Sequence, residues 1–143
     1  ARFGIAWGTI GAAMDCYDSS LRYSKERTQF GKPIASFQLI QKKLAEMITE
    51  ITKAQLLAWR LGTLRNDGKA TPAQISMAKR NNVKMACDVA REARQVHGAM
   101  GITGEYSIMR HIMNLESVLT YEGTHDIHLL ITGMDVTGIN AFS

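Results

Sequence analysis

Residues 44–61, LAEMITEITKAQLLAWRL, place apolar side chains at Leu44, Met47, Ile51, Ala54, Ala58 and Leu61. The steps between them alternate between three and four residues, which is the spacing of one face of an α-helix. The same spacing occurs before this stretch, at Ile10, Met14, Tyr17 and Leu21, and after it, at Ala78, Asn82, Met85 and Val89. No segment alternates apolar and polar residues over a sustained run, so a sheet is not expected. The sequence therefore predicts an all-α protein.

Short breaks separate the predicted helices. The segment 28–36 contains Gly31 and Pro33 and separates the first helix from the second, and Asn66-Asp67-Gly68-Lys69 ends the second. Thr71 is predicted to be the N-cap of the third helix, with Pro72 at its first position, where a missing N–H costs little.

The third helix is expected to run to about residue 97 and to end in the glycine-containing segment 98–104. A shorter helix over about residues 106–116 and a last helix that starts at Thr124 would follow. These elements predict an antiparallel (up-down) four-helix-type bundle with short extra C-terminal helices.

The composition is that of a single ordinary domain, with 143 residues and 45% apolar residues. The basic residues behind the formal charge of +4, Lys79 among them, never form a long run. We therefore interpret them as solvated helix faces and do not expect nucleic-acid binding. No stretch approaches the roughly 18 apolar residues of a membrane span.

Cys16 and Cys87 are too few for a disulfide framework and lack metal-ligand spacing. They predict buried thiols in a reducing, intracellular setting. The chain has no signal peptide and no initiator Met, so we expect a piece of a longer protein that is not secreted.

Three groups of residues invite a functional interpretation on their own. Gly98, Gly101 and Gly104 follow a helix rather than a strand, so they form either a flexible turn or a loop that a ligand approaches closely. His125, Asp126 and His128 suggest a metal site completed by His111 or Glu122, since positions i and i+3 share a helix face. The spacing does not demand such a site, and no metal is predicted.

Glu122 precedes the predicted N-cap Thr124 and is followed by Gly123. Its carboxylate is either a favourable charge near a helix N-terminus or a general base that projects into a cavity beside Tyr121. The residues alone leave both interpretations open.

Three motifs resemble those of the acyl-CoA dehydrogenase family, in the family's order and at its intervals. They are Arg27-Thr28-Gln29-Phe30-Gly31-Lys32, Gln95-x-x-Gly98-x-x-Gly101-x-x-x-Glu105-Tyr106 and Tyr121-Glu122-Gly123-Thr124. The resemblance covers essentially the whole chain and identifies it as the C-terminal helical domain of that family. Residues 37–43 and 120–128 are similar to the glutaryl-CoA branch. The N-terminal helical and middle β-domains of the family are absent from residues 1–143.

The resemblance implies an FAD-dependent dehydrogenase in which Glu122 removes the α-proton of an acyl-CoA while a β-hydride passes to the flavin. The backbone N–H of Glu122 would bind the thioester oxygen, and the glutaryl branch would release carbon dioxide to give crotonyl-CoA. Two alternatives remain: a dehydrogenase for another short or branched acyl-CoA, and a non-catalytic helical oligomerisation module.

The resemblance also implies a role for each matching residue. Arg2, Tyr121 and Gly123 would contact the acyl-CoA. The FAD contacts would come from Arg27, Phe30, Gln38, Gln95, His97, Gly98, Ala99, Thr124, Asp126 and Phe142. Ala99 and Met100 replace the family's usual Gly-Asn, and Met134 stands in place of an arginine.

The implied partners are further copies of the chain, in a dimer or tetramer built through the bundle, and electron-transfer flavoprotein as the electron acceptor. The implied location is the bacterial cytoplasm or the mitochondrial matrix. The resemblance further implies that the isolated domain is inactive and binds FAD weakly or not at all.

Overall fold

The computed structural model describes residues 1–142. Its helices are α1 (Arg2–Glu26), α2 (Gln38–Asn66), α3 (Pro72–Val96), α4 (Ile108–Thr120) and α5 (His125–Thr137), and short 3-10 turns cover Ile34–Ser36 and Gly98–Ile102. The prediction of an all-α bundle with shorter C-terminal helices is confirmed.

Helix α3 is the centre of the bundle, because it packs against α1, α2, α4 and α5. Thirteen of its 25 residues are buried, and many of them are alanines such as Ala86, Ala90 and Ala93. Small side chains let the neighbouring helices approach closely, and larger ones such as Ile10 and Ile51 fill the space between them. Because α3 packs against both α4 and α5, its side chains can reach the loop between those two helices.

The predicted helix starts are confirmed at two positions. The Thr71 hydroxyl accepts a hydrogen bond from the Gln74 backbone N–H at 3.2 Å, and the Gln74 side chain accepts one from the Thr71 N–H at 3.0 Å. With Pro72 at the first position, this is a complete capping box. Thr124 caps α5 in the same sense, since its hydroxyl accepts from the Ile127 N–H at 3.3 Å.

Two details of the sequence analysis are wrong. Thr28–Gln29 and Lys32–Pro33 pair as a short antiparallel hairpin, although no sheet was expected. Two-residue strands are too short to show a period of two in the sequence. Helix α4 runs from Ile108 to Thr120 rather than over 106–116, because Tyr106 packs on the His97 ring instead of entering the helix.

Both thiols lie inside the bundle, as predicted. Cys16 is fully buried, and burial, followed by the nearby Asp15 carboxylate, raises its pKa to about 12. Burial also raises the pKa of Cys87, with Glu116 adding to the effect. A raised pKa favours the protonated thiol in both residues, so neither is a candidate nucleophile.

Large apolar side chains remain uncovered on several helices. On α2, Leu56 is 59% exposed and Trp59 is 64% exposed, and Val136 near the end of α5 is 75% exposed. Single exposed apolar residues are common on folded proteins, and only contiguous patches of them indicate a binding surface. Within residues 1–142, no helix combines the length and the apolar character that crossing a membrane requires.

Candidate active site

The loop between α4 and α5 has an unusual backbone. Glu122 has φ +58° and Gly123 has φ +94°, so two consecutive residues adopt positive φ. For a residue with a side chain, the left-handed conformation costs about 1–2 kcal/mol. Such a conformation persists only where the surrounding structure imposes it, and it concentrates at functional sites. The Glu122 side chain is exposed.

Lys79 of α3 holds this loop from within the bundle. Its side chain is only 1% exposed, and its Nζ donates hydrogen bonds to the carbonyls of Val118 at 2.8 Å, Tyr121 at 3.1 Å and Gly123 at 3.0 Å. Burial, and then the charge of Arg2, lowers the pKa of Lys79, and the Glu122 carboxylate opposes this effect. The interpretation of Lys79 as part of a solvated helix face is therefore wrong.

Arg2 holds the remaining carbonyl at the centre of the loop. Its Nε donates to the carbonyl oxygen of Glu122 at 3.0 Å, and the Thr124 carbonyl accepts from the His128 backbone N–H at 3.2 Å. Every carbonyl from Tyr121 to Thr124 thus has a donor. Within residues 1–142 the backbone N–H of Glu122 has no protein acceptor.

The buried ring of His128 packs directly against Gly123. A Cβ placed on Gly123 would lie 2.9 Å from the His128 Nε2, so only glycine fits there. Burial lowers the pKa of His128, and the charges of Lys79 and Arg2 lower it further. Its ring nitrogens lie near the backbone of Glu122 and Gly123 without reaching good hydrogen-bond geometry. In the described part of the chain, no three His, Cys, Asp or Glu side chains converge as a metal site would require.

One cleft of about 290 Å³, at the end of α3, is lined by five of the residues that the sequence assigned to FAD binding. They are Arg27, Gln95, His97, Gly98 and Ala99. Gln29 and Met100 line the same cleft, as do Tyr23 and Ile34, which were not singled out in the sequence. A signal for Tyr23 was available, since it lies one helical turn before Arg27 on the same face.

The His97 side chain is a structural part of this cleft. Its Nδ1 lies 2.8 Å from the Ala93 carbonyl, and its Nε2 lies 3.1 Å from the Ser19 hydroxyl. The carbonyl requires a hydrogen on Nδ1, so in the neutral ring Nε2 accepts from Ser19. The ring is buried and stacks on Tyr23 at 4.4 Å between centroids. Both ring nitrogens therefore form hydrogen bonds within the chain. The predicted contact between His97 and the cofactor would have to be made by the backbone of His97.

Thr124 and Asp126 line a different cleft, of about 500 Å³, between α3, α4 and α5. Lys84, Arg91 and Glu116 also line it. On α3 the larger cleft extends to Arg91 and the smaller one begins at Gln95, about 6 Å further along the helix axis. One chain therefore does not gather all the predicted cofactor residues into a single cleft.

The other predicted cofactor residues lie outside both clefts. Phe30 is at the tip of the hairpin with φ +53°, followed by Gly31 with φ +77°, and its side chain is 90% exposed. Two positive φ values in a two-residue loop are typical of a type I′ turn, where Asn-Gly is usual. Gln38, at the start of α2, and Phe142 are also exposed.

Three histidines make the stability of the chain depend on pH. Burial is the main cause that lowers the pKa of His97, His125 and His128 below 6.5. Below pH 6.5 the unfolded chain binds protons that the folded chain does not, so the free energy of unfolding falls as the pH falls. We expect urea unfolding between about pH 8 and pH 5 to show this decrease, and a His128→Asn variant to show a smaller one. A free energy of unfolding that stays constant or rises on acidification would contradict the expectation.

Comparisons with known proteins identify the family of this domain. The family described as "Acyl-CoA dehydrogenase, C-terminal domain" matches residues 1–137. The short-chain specific acyl-CoA dehydrogenase of Megasphaera elsdenii is 36% identical over 132 residues, which cover 92% of this chain and 34% of that protein.

Two solved structures are similar over almost the whole chain. The crystal structure of a glutaryl-CoA dehydrogenase from Mycobacterium smegmatis has a TM-score of 0.97 and 54% identity, and it covers 99% of this chain and 37% of the other. Another glutaryl-CoA dehydrogenase structure from that organism, in complex with FADH2, has a TM-score of 0.97 and 48% identity, with the same coverage. The chain spans about a third of the length of these relatives. It belongs to the acyl-CoA dehydrogenase family, as the C-terminal domain of that family.

Proposed function

We propose that this chain is the catalytic and assembly domain of an FAD-dependent acyl-CoA dehydrogenase, with Glu122 as its base. The loop at Glu122 is the observation that carries the proposal. Two cations, Lys79 and Arg2, hold it with Glu122 at positive φ. The carboxylate stays exposed, and the backbone N–H finds no acceptor among residues 1–142. The positive φ of Glu122 costs free energy, and such strain concentrates at functional sites. It leaves a backbone N–H donor and a carboxylate side by side, where both can contact a bound substrate.

The chemistry of Glu122 follows from these two groups. Its carboxylate removes a proton from the α-carbon of the acyl group, and the electrons of that C–H bond move toward the thioester oxygen. The backbone N–H of Glu122 donates to this oxygen as negative charge develops on it, which is the role of an oxyanion-hole donor. When bound, FAD supplies the acceptor for the β-hydride.

The residues of the chain fit an FAD that is shared between subunits. Arg27 is a permanently charged planar group suited to a pyrophosphate, and it lines the cleft of Gln95, Gly98 and Ala99. Thr124 and Asp126 line the other cleft. We propose that one FAD uses the first cleft of one subunit and the second cleft of another, in a homodimer or homotetramer. Phe30, Gln38 and Phe142 would add contacts around it, and an exposed aromatic ring on a strained turn suits such a contact.

We propose glutaryl-CoA as the substrate, with oxidation and decarboxylation to crotonyl-CoA, and electron-transfer flavoprotein as the acceptor. The similarity to the two M. smegmatis structures supports this choice over another short or branched acyl-CoA. Tyr121 and Gly123 flank the base and would contact the thioester, and Arg2 would orient the loop. The N-terminal helical and middle β-domains would belong to the same complete protein, in the bacterial cytoplasm or the mitochondrial matrix.

A non-catalytic oligomerisation module is the second candidate function. It is favoured by the exposed Leu56 and Trp59 of α2 and by Ala99 and Met100, which add bulk where the family has Gly-Asn. Under this alternative the domain would assemble subunits without flavin chemistry.

The test uses the complete protein that contains this domain. We expect the purified protein to be yellow, its flavin absorbance to bleach within seconds on adding glutaryl-CoA, and the colour to return with electron-transfer flavoprotein. Bleaching by butyryl-CoA alone would keep the mechanism and reject glutaryl-CoA as the substrate. A colourless protein that no acyl-CoA perturbs would favour the oligomerisation module.

A further inference from the structure

The side chain of Lys79 is an unusual cation for the interior of a helical bundle. Burying a charge is costly unless the group is fully hydrogen-bonded. Its Nζ has three carbonyl acceptors within 3.1 Å, and an ammonium group has three N–H donors, whereas a neutral amine has two. The contacts therefore require the charged form, and all of its donors are used.

The identity of the three acceptors links Lys79 to Glu122. Val118 lies in the last turn of α4, where unpaired carbonyls carry the negative end of the helix dipole. Tyr121 and Gly123 are the residues on either side of Glu122. One nitrogen atom thus ties the end of α4 to both neighbours of Glu122.

This connection explains why Glu122 has positive φ. The carbonyls of Tyr121 and Gly123 both turn toward Lys79, and the carbonyl between them turns to Arg2. The backbone of Glu122 has to reverse locally to satisfy both cations. The His128 ring closes the remaining side against Gly123.

We propose that Lys79 is a positioning residue that holds Glu122 in the left-handed conformation in which its carboxylate and backbone N–H serve the reaction. The catalytic part of this proposal rests on the proposed function. Its conformational part does not, since it concerns the backbone of Glu122 alone.

The variant that tests the proposal is Lys79→Met in the complete protein, because methionine fills similar space and cannot donate. Lys43→Met is the matched control, since Lys43 is half-buried, pairs with Glu92 between α2 and α3, and lies outside the loop. Should the Met variant fail to fold, Lys79→Gln replaces it in both measurements. Its neutral amide has two N–H donors where the ammonium has three, so we expect the same changes at smaller size.

Crystal structures provide the first measurement. We expect Glu122 to relax to negative φ in Lys79→Met and to stay at positive φ in Lys43→Met. A Lys79→Met structure with Glu122 still at positive φ would overturn the proposal whatever the activity.

Kinetics provide the second measurement. We expect the kcat of Lys79→Met to fall about 100-fold, the loss typical of a displacement of about 1 Å, while KM changes little. The isotope effect for substrate deuterated at the α-carbon should rise, because proton removal becomes slower relative to the other steps. A purely structural role would lower the amount of flavin-loaded protein and leave the isotope effect per flavin unchanged, and that result would overturn the catalytic part.

The two failures are distinguishable. If the unmodified protein reduces no flavin with any acyl-CoA, the proposed function fails, and the crystallographic comparison alone decides whether Lys79 sets the conformation of Glu122. If the unmodified protein turns over and Lys79→Met matches it in kcat, isotope effect and loop structure, only the proposal for Lys79 fails.

Discussion

Replacing Glu122 by Gln in the complete protein is expected to slow flavin reduction by acyl-CoA about 10²–10⁴-fold, the range typical of a lost general base. Glutamine has the same size and reach, but its amide does not accept the α-proton. The backbone N–H, which is unpaired within residues 1–142, stays in place, so the thioester keeps its donor. The loss should therefore fall on the rate constant and leave substrate affinity almost unchanged.

Stopped-flow absorbance at saturating substrate is the direct measurement of this loss. Glu50→Gln is the matched control, because Glu50 is an exposed carboxylate that pairs with Lys53 on the same helix, away from the loop. That variant should reduce its flavin at the unmodified rate. A Glu122→Gln protein that retains a rate within a few-fold of the original would mean that another group removes the proton.

Gly123→Ala should be the most destabilising small substitution in the loop, at about 2–5 kcal/mol. Part of the loss is conformational, since φ +94° costs a residue with a Cβ about 1–2 kcal/mol. The rest is steric, because the new methyl group would lie 2.9 Å from the buried His128 ring, and overpacking costs about 1–3 kcal/mol. Urea unfolding of the 143-residue chain measures the sum.

Gly68→Ala separates the two contributions to this loss. Gly68 has φ +69° but nothing lies within 4 Å of a Cβ at that position. Its substitution should therefore show the conformational cost alone, and less destabilisation than Gly123→Ala. Equal losses at the two positions would show that the loop yields to the methyl group and that His128 does not define its shape.

Local signals in the sequence were sufficient to predict the helices. The Thr71-Pro72 pair and Thr124 act through their own backbone neighbours, so their caps are visible without tertiary information. The hairpin at Phe30-Gly31 was missed because its strands have two residues each. The end of α4 was placed four residues early, since the apolar face continues to Val118 and Leu119.

Burial of Lys79 could have been predicted, although the charge pattern pointed to solvent. Ser76, Lys79, Val83, Ala86, Ala90 and Ala93 recur at steps of three and four, and all are buried. A lysine on such an apolar stripe indicates a buried cation that needs acceptors. Its partners could not be deduced in the same way, because they lie 39 to 44 residues away.

The candidate site itself was located by resemblance rather than by periodicity. Gly123 indicated a permissive backbone, but the positive φ of Glu122 depends on Lys79 and on Arg2, which is 120 residues distant. No local pattern reports such a constraint. At His97 the motif position predicted a contact between the side chain and the cofactor. In the structure, both ring nitrogens instead form hydrogen bonds within the chain.

The contacts of Lys79 also make the shape of the loop depend on parts of the chain that are distant in sequence. Lys79 and its acceptors are 39 to 44 residues apart, so these contacts close a long segment of chain. Closing such a segment has an entropic cost, which the docking of α4 on α3 has to offset. Before that docking, Lys79 is in water and Glu122 is free to adopt ordinary backbone angles. In any state of the chain in which α4 has not docked on α3, Glu122 is therefore present but is not held in its left-handed conformation. The geometry of the site depends on the docking of α4 and α5 on α3.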